Sequence, residues 1–325
     1  NNRCAERAQS DILVFLNNDT EPTRGWLEPL LEALQDDHVG ACGPKLVYVE
    51  SGKINHVGYV FNQELGTFYP IYHNAPADLP AVNKRRDYPA LLGACLAIKK
   101  KVFFEVGMFE SFGLEDIDLC LKIGQHGFGI LYVPESCVLH HGSVTLRNSE
   151  PGTIPEMNSD EFTKRWLMGG LPWDDKIYYE RDGYVCKGVI DGKMQIVTRE
   201  QYCFEETEQA AEAFQAGRFA EARRHARNAA RADSSHEQSR QILLSACVEL
   251  GDLSTALDVA GDLHELRPAD LQLRLIAAKL HILLGDARMA RLVLAELEQL
   301  PAIDAAVQQQ LLALKAEIES MPEKT

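Results

Sequence analysis

The chain has 325 residues, of which 46% are apolar and 25% are charged, and its formal net charge at pH 7 is −15. The length predicts two domains or one large domain, and the composition is that of an ordinary globular protein. This net charge argues against a nucleic-acid partner and against general binding to anionic membranes. No apolar run reaches the roughly 18 residues that a membrane span needs.

In chain order, the first 200 residues alternate between short apolar runs and amphipathic segments. The apolar runs predict strands over 12–16, 45–49, 94–98 and 129–133, and helical patterns lie over 25–37 and 115–127. Strands that alternate with helices predict an α/β sheet. After residue 205 the sequence is rich in Ala, Leu, Glu and Arg, which predicts an all-α remainder.

The first chemical cluster follows the strand over 12–16. Asn17, Asn18 and Asp19 come directly after five apolar residues. A carboxylate just past the end of a buried central strand lies where open α/β sheets bind ligands. Asn side chains tolerate tight turns and offer amide groups to a ligand. An Asp at a strand end also often only caps a turn, so this cluster alone leaves both interpretations open.

The second cluster lies at a helix start, where Glu115, Asp116 and Asp118 stand within four residues. Acidic residues in the first helical turn complement the helix dipole, which is a purely structural interpretation. Three carboxylates this close repel one another unless a cation or a proton relieves them. A carboxylate at a helix N-terminus that faces a cleft can also serve as a general base.

The third cluster is a pair of histidines near residue 140. A strand, a turn at Pro134 and a second short strand are predicted to deliver His140 and His141. A lone histidine is usually a satisfied surface or core residue, but two in succession after a strand are better ligand candidates. Imidazole and carboxylate together suit a divalent ion such as Mn²⁺ or Mg²⁺ that carries a diphosphate.

A repeat marks the helical half. Gly217, Gly251 and Gly285 are spaced by 34 residues, and Ala222, Ala256 and Ala290 keep the same spacing. Gly can end a helix without a Cβ penalty, and a small residue allows the second helix to approach closely. A 34-residue period is typical of stacked helix pairs, and it resembles the tetratricopeptide repeat (TPR). Such a solenoid offers a concave surface for a peptide or for oligomerisation, or it is a packing appendage.

The three clusters, in this order, resemble the family 2 inverting glycosyltransferases of bacteria, and most closely their rhamnosyltransferase-like branch. The resemblance is carried by "DILVFLNNDTEP", "LLGACLAI" and "GLEDIDLCLKIGQHGF", and it covers roughly residues 1–180. It implies a GT-A fold, which is a Rossmann-like nucleotide-sugar transferase domain. It also implies a nucleoside-diphosphate sugar as donor and a divalent metal, Mn²⁺ or Mg²⁺, as cofactor.

The resemblance also implies roles for single residues. Asp19 is similar to the last Asp of the D-x-D motif, which holds the metal against the diphosphate. Asn17 stands where the first Asp of that motif often stands, and Asn18 lies between them on the substrate side. His140 looks like the downstream histidine that contacts the metal or the diphosphate, and His141 is the weaker choice.

The acceptor side follows from the same resemblance. Asp116 of the Glu115–Asp116 pair looks like the catalytic base that takes the proton from the acceptor hydroxyl. Gly93 and Ala94 resemble the stretch that lines the acceptor side and lets the backbone approach the donor sugar. Trp173 lies in a loop sequence, "GGLPWDD", and could stack on a sugar.

The resemblance departs from the family at the start of the chain. Family members begin with a strand bearing an I-P-V-Y-N-like motif, followed by Asp residues that grip the nucleobase, whereas Asn1 resembles the middle of the domain. We therefore expect this chain to hold the C-terminal portion of the transferase domain, which puts donor binding by this fragment alone in question. A partial sheet would also expose an unpaired strand edge.

These observations predict three segments: a transferase domain over 1–183, a linker or hairpin over 184–204 with its turn at Asp191-Gly192, and TPR-like repeats over 205–325. The favoured function is an inverting, metal-dependent hexosyl or deoxyhexosyl transfer to a hydroxyl of a surface polysaccharide, a glycolipid or a protein. We expect a cytoplasmic location, with peripheral attachment to the inner membrane as one form of it, and a protein partner for the repeats.

Two alternatives stay open. In the first, the chain is a non-catalytic interaction or scaffold protein that uses its repeats, with a degenerate transferase domain. In the second, it is a metal-dependent hydrolase, which shares the carboxylates and histidines but lacks an obvious second metal site. The transferase hypothesis predicts that Asp19, Asp116 and His140 converge on one cleft, and the scaffold hypothesis predicts that they do not.

Overall fold

The computed structural model describes residues 1–110, 114–142, 159–168, 175–190, 193–300 and 303–320. Contacts divide the chain into two compact units, one formed by Asn1–Asp182 with Gly188–Met194 and the other by Gly183–Lys187 with Gln195–Thr325. The first unit is α/β and the second is almost entirely helical, which confirms the predicted fold class. No helix in the described part of the chain is both long and apolar enough to cross a bilayer.

The first unit contains six short α-helices, one 3₁₀ turn (Pro80–Val82) and a mixed sheet within the described residues. Its helices are α1 (Asn2–Arg7), α2 (Leu27–Ala33), α3 (Lys100–Glu105), α4 (Glu115–Gln125), α5 (Ser159–Phe162, continued by a π-helical turn over Thr163–Leu167) and α6 (Asp175–Arg181). Its strands are β1 (Ile12–Leu16), β2 (Thr20–Pro22), β3 (Val39–Tyr48), β4 (Ile54–His56), β5 (Tyr59–Asn62), β6 (Thr67–Pro70), β7 (Arg86–Asp87), β8 (Cys95–Lys99) and β9 (Gly129–His140).

The main sheet has the strand order β1-β8-β3-β9-β2, with β4 paired to β3 and β7 paired to β9. Among the pairs of this sheet that the structure describes, β3 and β9 pair in parallel and the others are antiparallel. Because β1 and β3 are both antiparallel to β8, the strands β1, β3 and β9 all point in the same direction. Their carboxyl ends therefore meet at one edge of the sheet, where ligands bind in open α/β folds.

Strand β1 lies at the side of the sheet, and the expectation of a buried central strand over 12–16 is wrong within the described residues. Strand β8 is its only strand partner there, and the side chains of Val14 and Leu16 are 37% and 43% exposed. The other face is covered, because the ring of Phe15 packs against Phe103 and Phe109. The expected unpaired strand edge is therefore present.

Strand β9 corrects a second expectation. It runs without a break from Gly129 to His140, so that Pro134 does not form a turn between two strands. Instead, the register with β3 shifts between the pairs Pro44↔Val133 and Lys45↔Cys137, which is a bulge. A Pro has no backbone N–H to give to a ladder, and a bulge accommodates it without ending the strand.

The hydrophobic core of the first unit lies between α2 and the centre of the sheet. Leu30 and Leu34 of the α2 region pack against Leu46 of β3 and against Val133 and Val138 of β9, and all five are buried. This packing fixes the positions of β3 and β9 relative to each other. It thereby fixes the edge of the sheet that carries the candidate site.

The second unit begins with a strand pair and continues with helices. Strands β10 (Tyr184–Ile190) and β11 (Lys193–Thr198) pair with each other, and their residues are divided between the two units. The helices are α7 (Arg199–Gln215), α8 (Phe219–Ala232), α9 (Glu237–Glu249), α10 (Leu253–Leu266), α11 (Leu271–Leu283), α12 (Ala287–Glu298) and α13 (Ala305–Glu319). Helix α7 begins six residues before the change in composition at residue 205.

The predicted repeat geometry is present in all three helix pairs. The repeated glycines have positive φ angles of 71°, 71° and 76°, which a residue with a Cβ adopts with strain. In each turn the amide after the Gly donates to the carbonyl five residues earlier, as in a Schellman motif: Arg218 to Ala213, Asp252 to Cys247 and Asp286 to His281. The repeated alanines, Ala222, Ala256 and Ala290, are 0% exposed.

A further helix continues the period. Helices α9, α11 and α13 begin at Glu237, Leu271 and Ala305, so that each starts 34 residues after the one before. Val307, Leu311 and Ile318 of α13 are buried against the third pair. This helix does not show in the sequence pattern as a member of the series because Glu319 stands at the position of the repeated Gly.

Candidate active site

A cavity of about 520 Å³ lies at the edge of the sheet where β1, β3 and β9 end. The predicted residues Asn17, Asn18, Asp19, Ala94 and His140 all line it. Asn17 continues the pairing of β1, because its backbone N–H donates to the carbonyl of Ala94 at 2.9 Å. The arrangement of the strands therefore brings the first and third sequence clusters to the same cavity.

Asp19 and His140 face each other across this cavity. Oδ1 of Asp19 lies 3.5 Å from Nε2 of His140, and the two side chains are 15% and 7% exposed. Strand β2 explains the proximity, because Thr20 pairs with His140 and the backbone N–H of His141 donates to the carbonyl of Asp19 at 3.0 Å. Two residues that are about 120 positions apart in the sequence are thus held together by one ladder.

Asn55 of β4 sets the protonation of His140. Nδ1 of His140 lies 2.8 Å from Oδ1 of Asn55, and both side chains are buried. The Asn55 amide is oriented with its oxygen toward the ring, and because an amide oxygen only accepts, this arrangement places the proton on Nδ1 and a lone pair on Nε2. Burial lowers the pKa of His140 more than the neighbouring Asp19 raises it. The imidazole is therefore neutral near pH 7, and its Nε2 lone pair points at a carboxylate oxygen.

This pair fits a divalent cation, because two acceptors that face each other at 3.5 Å are relieved by a positive charge between them. A His whose second nitrogen donates to a fixed acceptor is the usual arrangement of a metal ligand. Among the residues that the structure describes, no group of three or more His, Cys, Asp or Glu side chains is arranged to hold a metal. Asp19 and His140 could therefore supply two ligands of a site that ligand oxygens complete.

Asp116 lies directly behind the wall of the cavity. Leu92 and Ala94 line the cavity, and the backbone N–H of Gly93 between them donates to Oδ2 of Asp116 at 2.7 Å. The other carboxylate oxygen, Oδ1, accepts from the backbone N–H of Ile117 at 2.8 Å. A Cβ at position 93 would lie 2.9 Å from Cβ of Asp116, so Gly93 makes room for this side chain. The absence of a side chain at position 93 therefore allows Asp116 to occupy this position.

The pKa of Asp116 is raised to about 6, chiefly by burial and also by the negative charge of Glu115, although the N–H groups of Gly93 and Ile117 lower it. A carboxyl group with a pKa near 6 is ionised at neutral pH and remains a competent base. Oε2 of the neighbouring Glu115 is buried and has no hydrogen-bond partner within the described residues. The two adjacent carboxylates therefore have different surroundings in the described part of the chain, where backbone donors hold Asp116.

The remaining predicted residues have other positions. Asp118 is turned away from the cavity, because it accepts from Nε1 of Trp166 at 2.9 Å and pairs with Lys122 at 3.0 Å. Nε2 of His141 lies 2.7 Å from Oε1 of Glu21 near the surface. Trp173 lies outside the described residues. Of the two adjacent histidines, His140 is thus the one that enters the cavity.

Several residues of the cavity were not predicted from the sequence, and they include Asn55, His56, Tyr59 and His73 of β4, β5 and the loop after β6. His56 accepts the backbone N–H of Leu92 at Nε2, and burial lowers its pKa to about 3, so this ring is neutral. His73 lies with Nδ1 2.9 Å from the carbonyl of Asn55. Burial and then the charge of Asp116 raise the pKa of Tyr59, whose ring lies 4.5 Å from that of His56. The signal available was the string "KINHVGY", in which an Asn-His pair interrupts an apolar strand.

Comparison with known proteins places residues 1–106 in the family model "Glycosyl transferase family 2". The N-terminal part of the chain therefore carries a glycosyl transferase family 2 domain, and the resemblance found in the sequence is confirmed. The match covers both Asp19 and Gly93, and it ends before Asp116 and His140.

Curated relatives match over about half of this chain. The chain is 30% identical over 164 residues to the O-antigen biosynthesis protein RfbC of Myxococcus xanthus, which covers 48% of this chain and 12% of that protein. It is 28% identical over 192 residues to polypeptide N-acetylgalactosaminyltransferase 3 of Drosophila melanogaster, which covers 54% of this chain and 28% of that protein. The chain thus spans well under a third of the length of these relatives.

Among solved structures, the chain is similar to GalNAc-T7 with UDP, GalNAc and Mn²⁺, with a TM-score of 0.39, 19% identity and coverage of 55% of this chain and 36% of that chain. It is also similar to the TPR2B domain of yeast Sti1 in complex with an Hsp70 peptide, with a TM-score of 0.31, 12% identity and coverage of 38% and 99%.

Proposed function

We propose that the glycosyl transferase family 2 domain in the N-terminal part of this chain moves a sugar from a nucleoside-diphosphate donor to a hydroxyl acceptor, with inversion at the anomeric carbon. One observation carries the proposal. An Asp–His pair lines the cavity at the carboxyl ends of β1, β3 and β9, and the carboxylate of Asp116 is held directly behind its wall by the backbone N–H of Gly93. Sugar transfer needs one group for the diphosphate and another for the acceptor proton.

Asp116 is the proposed base. Its raised pKa of about 6 leaves it ionised at neutral pH, yet basic enough to accept a proton as the acceptor hydroxyl is activated. The acceptor oxygen forms the new bond to the anomeric carbon from the face opposite the diphosphate. The bond between that carbon and the diphosphate oxygen breaks, the leaving group keeps the electron pair, and the proton goes to the Asp116 carboxylate.

Asp19 and His140 are the proposed ligands of a divalent cation, Mn²⁺ or Mg²⁺. Such a cation would neutralise the charge that develops on the diphosphate. The lone pair that Asn55 secures at Nε2 of His140 and the facing carboxylate of Asp19 support this assignment. Asn17 and Asn18 line the same cavity and could donate to the donor sugar or its diphosphate.

The class of acceptor is a proposal that rests on the relatives. Similarity to an O-antigen biosynthesis protein supports a bacterial surface polysaccharide, and similarity to polypeptide N-acetylgalactosaminyltransferases supports a protein acceptor. We favour the polysaccharide, with the reaction on the cytoplasmic side of the inner membrane. The helical repeats would then hold a protein partner through the exposed side chains of their first helices, such as Phe204, which is 60% exposed.

The decisive experiment measures sugar-nucleotide hydrolysis and sugar transfer by the natural full-length protein. UDP-, GDP- and dTDP-sugars are supplied with Mn²⁺, and the wild type is compared with Asp19→Ala and Asp116→Asn. His141→Ala is the matched control, because this neighbouring histidine pairs with Glu21 near the surface. We expect metal-dependent turnover that both test variants lose and the control keeps. If neither the wild type nor any variant binds a nucleotide, the repeat-based scaffold becomes the better explanation.

A further inference from the structure

A second cavity, of about 530 Å³, lies in the first unit beside the C-terminal half of α4. Helix α4 forms one wall, β7 and β9 form the floor, and the residues around α5 and α6 form the other wall. Among the described residues, its lining shares no member with the cavity that holds Asp19 and His140. This volume is within the range of ordinary small-molecule sites.

Aromatic rings form much of the wall. Tyr178 of α6 stacks on Tyr88 with ring centroids 4.8 Å apart and an angle of 25° between the planes. The hydroxyl of Tyr178 donates to the backbone carbonyl of Asp87 at 2.8 Å, which fixes the ring. Trp166 is buried beside them, with its Nε1 bonded to Asp118. Flat, fixed rings are suited to apolar faces of a ligand and lose little entropy when one binds.

The absence of a side chain at Gly124 leaves the second cavity unfilled beside α4. It lies inside α4, has no left-handed φ, and no atom within 4 Å would meet a Cβ built on it. A Gly inside a helix lowers helix stability relative to Ala. Packing therefore gives no reason for a Gly here, and neither does the helix end, because Gly127 supplies the positive φ there. The exposed backbone of Gly124 faces the cavity.

The polar groups of the lining select the kind of ligand. In the described part of the chain, the side chains of Asp87 and Gln125 have no hydrogen bond or ion pair, so both are open to a ligand. Burial and then the charge of Asp36 raise the pKa of Asp87. Arg165, the one cation among the described lining residues, is already bonded to Glu110 at 2.9 Å and to Asp118 at 3.2 Å. A phosphate or another anion would find no free positive charge, whereas hydroxyl groups would find acceptors.

We propose that this cavity binds an uncharged sugar unit, with its apolar face on Tyr178 and its hydroxyls on Asp87 and Gln125. The segment from Asp87 to Ala94 connects the two cavities, because its first three residues line this one and Leu92 and Ala94 line the other. Pro89 and Gly93 are four residues apart, which is at most about 14 Å of chain. That this sugar belongs to the acceptor glycan rests on the proposed function. That the cavity binds a sugar does not depend on the proposed function.

The test is saturation-transfer difference NMR with glucose, galactose, rhamnose, N-acetylglucosamine, N-acetylgalactosamine, maltose and lactose, and with UDP and inorganic phosphate as anionic probes. Three variants change the cavity: Gly124→Leu fills it, Tyr178→Ala removes the stacking surface, and Asp87→Asn removes the charge. Gly261→Leu is the matched control, because Gly261 also lies inside a helix, α10, with nothing within 4 Å of a Cβ.

We expect at least one neutral sugar to bind the wild type and Gly261→Leu alike, with at least tenfold weaker binding to Gly124→Leu and Tyr178→Ala. Asp19→Ala should keep this sugar binding. Binding of UDP should show the reverse pattern, being weakened by Asp19→Ala and unchanged by Gly124→Leu. The inference is overturned if no neutral sugar binds, or if its binding is the same in Gly124→Leu. It is also overturned if inorganic phosphate competes with the sugar. Failure of the transferase assay alone would leave the pattern of sugar binding intact.

Discussion

The backbone N–H of Gly93 donates a hydrogen bond to Oδ2 of Asp116 at 2.7 Å, and the Cα of Gly93 leaves no room for a methyl group beside that side chain. The carboxylate is therefore positioned by a residue 23 places earlier in the chain. This relationship connects the wall of the cavity that Asp19 and His140 line to the proposed base.

Substitution of Gly93 should separate catalysis from folding. Gly93→Ala places a Cβ 2.9 Å from Cβ of Asp116, so the carboxylate has to move. A misplacement on the order of 1 Å can lower activity about 100-fold, whereas overpacking by one methyl group lowers the free energy of unfolding by about 1–3 kcal/mol. We expect a loss of kcat near that size in the natural full-length protein, with UDP binding retained.

The control for this prediction is Gly261→Ala, where the added methyl group meets nothing within 4 Å. It should leave transfer unchanged. Equal activity of Gly93→Ala and the wild type would show that the position of Asp116 does not matter to the reaction.

The pH dependence of transfer should report the ionisation of Asp116. Its pKa is raised from 3.8 to about 6, and the base must be ionised, so activity falls as the pH drops through that value. The value of kcat/KM at pH 5 should be about one tenth of that at pH 7. Measurement of kcat/KM between pH 5 and 8 checks this, and a flat profile over that range would contradict the assignment of Asp116 as base.

The same raised pKa has a consequence for stability. A carboxyl group that binds its proton more tightly in the folded state stabilises the fold below pH 4 and loses that contribution as the pH rises through about 6. The difference in Tm between Asp116→Asn and the wild type should therefore shift in favour of the variant as the pH rises from 4 to 8. A constant difference in Tm between pH 4 and pH 8 would indicate that Asp116 does not titrate within this range.

Asn55 should matter for metal binding through its contact with His140. Asn55→Ala removes the acceptor at 2.8 Å from Nδ1 of His140, so the imidazole no longer has a fixed proton and orientation. Loss of such a supporting group commonly weakens metal affinity about 10–100-fold. Titration of Mn²⁺ by electron paramagnetic resonance, in the presence of UDP, measures this affinity.

Two histidine variants provide reference values for the effect of Asn55→Ala on Mn²⁺ affinity. His140→Ala should weaken Mn²⁺ binding more than Asn55→Ala does, whereas His141→Ala should leave it unchanged because that ring pairs with Glu21. If His141→Ala has the larger effect, the assignment of the two adjacent histidines is reversed.

The repeat turns give a prediction about stability. Gly251 has a φ of +71°, so Gly251→Ala should lower the free energy of unfolding of the helical unit by about 1–2 kcal/mol. Gly261 lies inside α10 without such a φ, so Gly261→Ala should raise it by about 0.5–1 kcal/mol. Urea unfolding followed by circular dichroism at 222 nm distinguishes the two, and changes of the same sign would refute the argument from φ.

Some features were predictable from the sequence because they depend on local order. The repeated Gly and Ala positions are set by geometry within one 34-residue unit, and the strand over 12–16 is set by a run of five apolar residues. The resemblance to family 2 glycosyltransferases, which the family match confirms, added roles for Asp19 and Asp116 that spacing alone could not assign.

Other features could not be predicted because they arise from contacts between distant segments. Asn55 reaches His140 across 85 residues, and Gly93 reaches Asp116 across 23. Neither contact leaves a periodic signal. The position of β1 at the side of the sheet depends on which strands pair, whereas an apolar run only indicates that a strand forms. The bulge in β9 arises from its register with β3, which a single Pro cannot reveal.

The edge of β1 that is unpaired in the described part of the chain predicts that the isolated polypeptide associates with itself in solution. Its five residues, ILVFL, carry no charge, Pro or Gly, and the outer row of backbone donors and acceptors has no second strand within the described residues. Such an edge is a template for another copy of itself, and the exposed side chains of Val14 and Leu16 would add to the contact. Light scattering of the isolated chain should therefore increase with concentration and warming. Val14→Lys should suppress that increase, since a charged side chain on an edge strand opposes pairing with a second copy.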